Sequence, residues 1–418
     1  MLFLACVLAS AFASSGCDGS TADQGAPQGP ATPPSALAAD RQTGGGTPAA
    51  SATPAGSEGA PRDDGAAAQE ARLRRFVALV DGLSEQDAAF FSDNLVSNET
   101  SFLHVAGELP ALPARHEAYV GVGPEQNFSY IALLEPSVAY VVDIRRDNLR
   151  LHLLYKAAFE LASSRAHFVA SLLGRPAPTP PAGGAAASED IAAVLARATG
   201  APATAESFAV AHAALRGRIT SWGLRLPAPE LARIEAIHRR FHDAQLGLRF
   251  ALKEANGRTY PTLAEMLAAG DREGRARGFL ATDAAYAVVA RMQRDHRIIP
   301  MVGDFAGDLA LPGLAAAMTE NGEKLGTFYV SNVEQYLLEP PVWSRWRRNV
   351  AALPRAEGAV FLRAWLDQGR AHPRQEKGHR TASFVTPIDR FEASQAERPH
   401  GSWWAIASDG HTEPSPAR

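Results

Sequence analysis

Tyr119-Val-Gly-Val-Gly-Pro-Glu-Gln-Asn-Phe-Ser-Tyr-Ile131, followed after a short interval by Ala139-Tyr-Val-Val-Asp-Ile-Arg-Arg-Asp-Asn148, is the stretch that decides the fold. It reads as a strand over 117–122, a glycine-containing turn, a helix over 128–134 and a second strand over 138–143. Gly121 and Gly123 let the backbone turn sharply and let a ligand come close, which a Cβ would block. Asp143 follows Gly121 by 22 residues. That is near the spacing at which an acidic residue at the end of a second strand meets ribose hydroxyls. The pattern is the front end of a nucleotide-binding α/β sheet.

Away from that stretch the chain divides by composition. Residues 2–13 are apolar but too few to span a bilayer as a helix. With the following Ser14-Ser-Gly-Cys17 they resemble a bacterial lipoprotein signal, which implies cleavage before Cys17, acylation of that cysteine and a lipid-anchored place in the cell envelope. Residues 18–69 are dominated by Ala, Gly, Pro, Ser and Thr and hold almost no large apolar side chain. A segment of that kind cannot bury enough surface to offset its ordering entropy, so a disordered tether is expected. Residues 70–418 remain for one large α/β domain, and 174–290 reads as a helical insertion within it. Cys6 and Cys17 are the only cysteines, which leaves no structural disulfide after processing. A net charge of −4, with Arg scattered among Asp and Glu, gives no basic face for nucleic acid.

Further along, 71–83 has a helical pattern, and Ser84-Glu-Gln-Asp is expected to cap the start of another helix. Residues 92–101 are polar and irregular, and 148–173 reads as one long amphipathic helix or a broken pair. Within 189–277 helix predominates, most clearly at Arg233-Ile-Glu-Ala-Ile-His-Arg-Arg-Phe-His242. Strands are then expected over 297–304, 324–330, 359–365, 382–388 and 403–407, with helices over 311–321 and near 343–353.

Gly121/Gly123, Asp143, Asp304 and Ser331-Asn332 all fall at carboxyl ends of successive expected strands, and in an open doubly wound sheet those ends converge on one crevice. This order resembles the class I S-adenosylmethionine-dependent methyltransferase fold over roughly 117–160 and 295–408. The resemblance implies a doubly wound, mostly parallel Rossmann-like sheet with S-adenosylmethionine as cofactor. It places the turn Gly121, Gly123, Glu125 and Asn127 with the methionine moiety, Asp143 with the ribose, and Asp304 near the adenine. Ser331, Asn332 and Tyr336 would face a small-molecule or peptide acceptor. The turn departs from the family pattern in lacking a third glycine, and the Pro after Gly123 fixes φ there. The phrases Asn127-Phe-Ser-Tyr-Ile, Val302-Gly-Asp-Phe-Ala-Gly and Tyr329-Val-Ser-Asn-Val-Glu-Gln-Tyr also resemble a bacterial family first named from a leptospiral protein, to which no activity is attached.

Several residues carry two readings. Asp143 either holds ribose or pairs with Arg145 or Arg146 or caps a helix; strand position and spacing favour ribose. Arg145 and Arg146 could instead hold a 2′-phosphate, as in an NADP oxidoreductase, against which the broken glycine pattern argues. Asp304 is a cofactor ligand or a turn residue, and Ser331-Asn332 orients an acceptor or closes a turn. Glu334 is the nearby candidate for a general base, with a solvated helix face as the simpler identity. His238 and His242 have metal-ligand spacing, but no Glu follows the first directly and a structural role is favoured. His152 and Lys156 are expected on a solvated face, Ser344-Arg-Trp-Arg-Arg at a surface helix start, and Trp403-Trp404 as core and rim of a late strand.

Two functions follow. One is methyl transfer, which relies chiefly on alignment and needs no strong base. The other is a non-catalytic, membrane-tethered protein that uses the same scaffold to bind a ligand or partner. The second answers an objection to the first: an exported domain would be cut off from S-adenosylmethionine, which is made in the cytoplasm.

Overall fold

The computed structural model describes residues 63–179, 189–254, 256–397 and 401–411; Cys17 and the expected tether up to residue 62 lie outside them. The helix α1 (Asp63–Leu83) begins upstream of the boundary expected at 70. Next come β1 (Ala118–Gly121), α2 (Gln126–Leu134) and β2 (Ala139–Asp143), the strand–turn–helix–strand unit expected from the opening stretch. The long amphipathic segment is a broken pair, α3 (Arg146–Leu161) and α4 (Arg165–Leu172). Ser164 makes the break, because its side chain caps α4 by accepting from the His167 amide.

The inserted region holds α5 (Ile191–Ala198), α6 (Ala205–Thr220), α7 (Ala228–Ala244) and the short α8 (Leu263–Leu267). Helix α9 (Asp283–Arg294), at the expected end of the insertion, packs against α2 and α3 and belongs to the helical layer of the sheet. The chain then runs β3 (Ile298–Val302), α10 (Ala310–Glu320), β4 (Leu325–Ser331), α11 (Pro340–Ala352), β5 (Arg355–Leu366) and β6 (Thr381–Pro387). It closes with α12 (Ile388–Glu397) and α13 (Trp403–Ser408).

The six strands lie in the order β3-β2-β1-β4-β5-β6. The first five are mutually parallel, and β6 returns antiparallel beside β5. The fold is therefore mixed α/β with a mostly parallel sheet. Strands β1 to β4 are buried along their whole length, which is why they read as unbroken apolar runs. Connections leave β1 in opposite directions, toward β2 and β3 on one side and, after β3, back to β4 on the other. The chain thus reverses its progress between β1 and β4, and the right-handed crossover rule puts the two sets of helices on opposite faces.

Two expected elements differ. Residues 84–91 do not form a helix, because Ser84 and Glu85 spend their polar atoms on β3: the Val302 amide donates to Ser84 Oγ at 3.2 Å and Glu85 N donates to Val302 O at 2.9 Å. Residues 403–407 are helical rather than a strand. Ser402 caps that helix at the Ala405 amide, and Trp403, Ile406 and Ala407 put a helical i, i+3, i+4 stripe into the core while Trp404 stays at its rim. Among the described residues, no helix is long and apolar enough to cross a membrane.

Candidate functional site

The glycine turn after β1 is packed by its own helix. A Cβ on Gly121 would lie 2.1 Å from Asn127 Oδ1 and 2.7 Å from the Tyr119 hydroxyl, so glycine is required here by a close approach from inside the chain. Asn127, fully buried, donates through Nδ2 to the carbonyls of Val122, Gly123 and Pro124 at 2.9, 3.0 and 2.8 Å. Its Oδ1 accepts the Tyr119 hydroxyl at 2.8 Å. Gly123 has φ +82°, and its carbonyl accepts from His152 Nε2 at 2.9 Å. His152 is buried rather than solvated, and burial lowers its pKa to about 4, so the ring is neutral.

Asp143 is also committed within the chain. Its Oδ1 accepts the Arg145 amide at 2.9 Å, and its Oδ2 accepts Arg145 Nη2 at 2.6 Å and the Gly123 amide at 3.2 Å. Both members of this ion pair are buried. Of the two readings of Asp143, the pairing with Arg145 is the arrangement present. Asp304 likewise accepts the Ala306 amide through Oδ1 at 2.9 Å, an Asx turn.

Over these strand ends runs a strap, residues 84–94, whose first residues, Ser84-Glu-Gln-Asp, read in the sequence as a helix start. Helices α3 and α10 have no side-chain cap of their own. The strap supplies one to each: Asp87 Oδ1 accepts the Arg146 amide at 2.9 Å, and Glu85 Oε1 accepts the Ala310 amide at 2.9 Å. Glu85 Oε2 also accepts the Asp304 amide at 3.0 Å. The Ala88 amide reaches Ile144 O at 3.4 Å, and Arg145 Nη1 donates to Asp93 O at 2.6 Å. Helix N-termini of this kind favour anions, and here protein carboxylates take those positions. Within the strap Phe90 and Phe91 pack against Tyr336, with ring centroids 5.8 and 5.9 Å away.

At the end of β4 a second cluster forms. Ser331 has φ +53°, a left-handed conformation that costs a non-glycine residue energy and holds only where its surroundings enforce it. Its hydroxyl donates to Glu99 Oε1, which also accepts the Tyr329 hydroxyl at 2.8 Å. Gln126 Nε2 donates to that same Tyr329 oxygen at 3.0 Å. Glu125 Oε1 accepts the Ser97 amide at 3.1 Å. Glu99 and Glu125 are both buried, and the second carboxylate oxygen of each has no partner among the described residues. Burial raises both pKa values, that of Glu125 to about 7, with the Glu99 charge a lesser cause. Asn332 stands beside Ser331, 3.3 Å from its hydroxyl, and Tyr336 is 46% exposed at the edge. Glu99, Gln126 and Tyr329 were not singled out by sequence. The only signal was the polar run 92–101 ahead of an apolar strand, and nothing in it names Ser331 as the partner.

Other expectations are corrected by burial. Glu334 is not on a solvated helix face: it is fully buried and paired with Arg363 (Nε–Oε2 2.6 Å, Nη2–Oε1 2.9 Å). The Arg363 guanidinium also lies 4.5 Å over the rings of Phe361 and Phe391. Lys156 is not solvated either; it pairs with Glu160 at 2.8 Å in the interior, and burial lowers its pKa to about 8. His238 is buried and bonded through Nε2 to Ser171 O at 3.0 Å, while its Nδ1 lies 3.2 Å from His212 Nδ1. His242 Nδ1 lies 3.1 Å from Asp243 Oδ1. On α11, Trp346 and Asn349 are buried, and Ser344 and Arg348 stay outside.

An open cleft lies elsewhere along the same edge of the sheet. A cleft of about 830 Å³ is bounded by the end of β5 and start of β6 (Leu366, Asp367, Thr381), by Asn98 and Thr100, and by the irregular chain around α8. Asn98 and Thr100 line it while Glu99, between them, turns inward to Ser331. The cleft wall and the buried carboxylate cluster are therefore two sides of one segment.

The family model described as "Domain of unknown function (DUF7790)" matches residues 95–177 and 228–411, well over half of the chain. Every residue lining the cleft falls within those stretches, and the strap 84–94 precedes them. Among curated proteins none matches the sequence significantly. On the extent of the family match, the chain belongs to the DUF7790 domain family.

Proposed function

We propose that this protein is a ligand-binding module on a methyltransferase-like scaffold, tethered to a membrane through Cys17, and that it does not use S-adenosylmethionine. The strand order 3-2-1-4-5 supports a Rossmann-type scaffold, and an antiparallel edge strand is compatible with one. The observation that carries the reading is how fully the expected cofactor groups are committed within the chain. Asn127 fills the space at Gly121, and Arg145 and Gly123 engage both oxygens of Asp143. Glu85 and Asp87 stand on the helix N-termini. The residues present therefore do not fit S-adenosylmethionine, and no methyl-transfer step is derived through it. The cleft, at about 830 Å³, has the size of a small-molecule site and stands open.

Calorimetric titration of the intact chain with S-adenosylmethionine and S-adenosylhomocysteine, beside an Asp143→Ala variant, tests the reading. No heat of binding is expected from either compound. Micromolar binding that disappears in the variant would return the methyltransferase reading and make residues 84–94 a lid over a working site.

A further inference from the structure

Three arginines line the cleft: Arg249, Arg258 and Arg380. All three are exposed. Arg249 donates to the Tyr260 carbonyl, and Arg380 Nη2 donates to the Asp367 carbonyl at 3.2 Å. Among the described residues none of the three has a carboxylate in ion-pair contact.

The carboxylates of the same cleft are already engaged. Asp271 accepts from the Arg275 amide and Nε, both at 2.9 Å, and pairs with Arg277 at 3.3 Å. Glu265 closes a capping box with Thr262. Asp367 accepts the Gly369 amide at 2.7 Å and Gln375 Nε2 at 3.0 Å. The cleft carboxylates thus have hydrogen-bonding partners of their own, while Arg249 and Arg380 act on Glu265 and Asp367 only through space and make no ion pair with them.

An independent observation marks the wall. His104 lines the cleft, is only 6% exposed, and its Nδ1 is buried without a hydrogen-bond partner among the described residues. An unpaired buried nitrogen is costly, and such groups are ordinarily satisfied. Its ring meets His379 edge to face at 4.5 Å, and His379 Nδ1 lies 3.0 Å from the Thr100 hydroxyl. Thr100 and His379 line the cleft too. A polar ligand there would find the Thr100 hydroxyl and the His379 imidazole at one side, with His104 packed behind them, and guanidinium groups around it.

We infer that the cleft binds a small acidic organic molecule, whose carboxylate or phosphate group is held by Arg249, Arg258 and Arg380 and whose polar remainder meets Thr100 and His379, with His104 behind them. The guanidinium fork matches the geometry of either anion, and a concave low-dielectric wall concentrates the field on it. This inference rests on the reading of the protein as a ligand-binding module and names the ligand class of its cleft.

Calorimetry on the intact chain would use three probes: citrate, inorganic pyrophosphate, and triethyl citrate as the neutral counterpart of the first. The variant is Arg258→Gln/Arg380→Gln, at two exposed positions where folding is preserved, with a circular dichroism melt as the check. At least one anion is expected to bind, to weaken about tenfold or more in the double variant, and to weaken with added salt. Preference for citrate identifies a carboxylate ligand and preference for pyrophosphate a phosphate ligand. A His379→Gln variant that melts as the parent does should lose affinity too. The inference is overturned if neither anion binds at millimolar concentration, if the double variant binds unchanged, or if triethyl citrate binds as tightly as citrate. A chain that refuses both anions and S-adenosylmethionine loses the acidic ligand but keeps its filled cofactor crevice. One that binds S-adenosylmethionine through Asp143 loses the reading of that crevice, whatever the anions do.

Discussion

Asp143 and Arg145 close a ring on themselves: the guanidinium meets one carboxylate oxygen at 2.6 Å while the amide of the same arginine meets the other at 2.9 Å. Spacing alone points Asp143 to ribose; in the fold a neighbour two residues away engages both of its oxygens. Arg145 is in turn tied to the strap through Asp93 O. The ring, the strap and the packed glycine turn form one connected polar structure over the ends of β1, β2 and β3.

The strap depends on Glu85, which accepts the amides of both Asp304 and Ala310. Glu85→Ala should cost about 1–2 kcal/mol, the usual worth of a helix cap. Urea denaturation would measure it. Limited proteolysis should cut within 84–94 faster in this variant than in the parent. An unchanged cleavage rate would show that the strap is held by its backbone contacts alone.

Breaking the fully buried Glu334–Arg363 pair leaves an uncompensated interior charge. Glu334→Leu should therefore destabilise by roughly 3–5 kcal/mol. The double change Glu334→Leu/Arg363→Met should recover most of that loss, since an apolar replacement removes both desolvation penalties. Denaturation midpoints of the single and double variants decide it. A base that merely lay near a site would show no such recovery.

Glu125 gives a pH signature with a definite sign. Burial raises its folded pKa to about 7 from an ordinary value of 4.5. The native state then holds a proton that the unfolded state has released, so this contribution is full below pH 4.5 and is lost as pH rises through 7. Glu125→Gln keeps the neutral form. Relative to the parent it should gain stability between pH 5 and pH 8, by roughly 3 kcal/mol at most. The comparison must be between the two proteins, because buried histidines such as His152 and His296, lowered to about 4, add a slope of opposite sign below pH 6.5 to both. A stability difference that does not vary with pH would mean that Glu125 titrates normally.

The envelope reading rests on Cys17. In a bacterial host, Cys17→Ala should abolish incorporation of labelled palmitate and move the chain from the membrane to the soluble fraction. Retention of label in the variant would remove the lipid anchor from the proposal.

The parallel core was legible because its elements are local and redundant. In 117–143, apolar strands rich in Val and Tyr, a turn with two glycines and a helix of the right length point to one arrangement. Short-range signals misled where a polar atom had a distant partner. Ser84 has the chemistry of a helix cap, yet its hydroxyl accepts from Val302, more than two hundred residues on. Trp403 to Ala407 is an apolar run consistent with either a strand or a helix, and the cap at Ser402 together with one buried stripe chose the helix.

What the sequence by itself determined is the order of the strands β1 to β6, the glycine turn, and the placing of Asp143, Asp304 and Ser331 at strand ends. These follow from side-chain periodicity and backbone restrictions, which act over a few residues. Only the tertiary structure decided how the polar groups are spent: Asn127 on the turn, Arg145 on Asp143, Glu85 on α10, Glu99 on Ser331, Glu334 on Arg363. A buried polar group must find a partner wherever the fold brings one, and in most of these pairs the partner comes from another part of the chain. Spacing could therefore place the candidate site. Which partners its groups take was set by the packing around them.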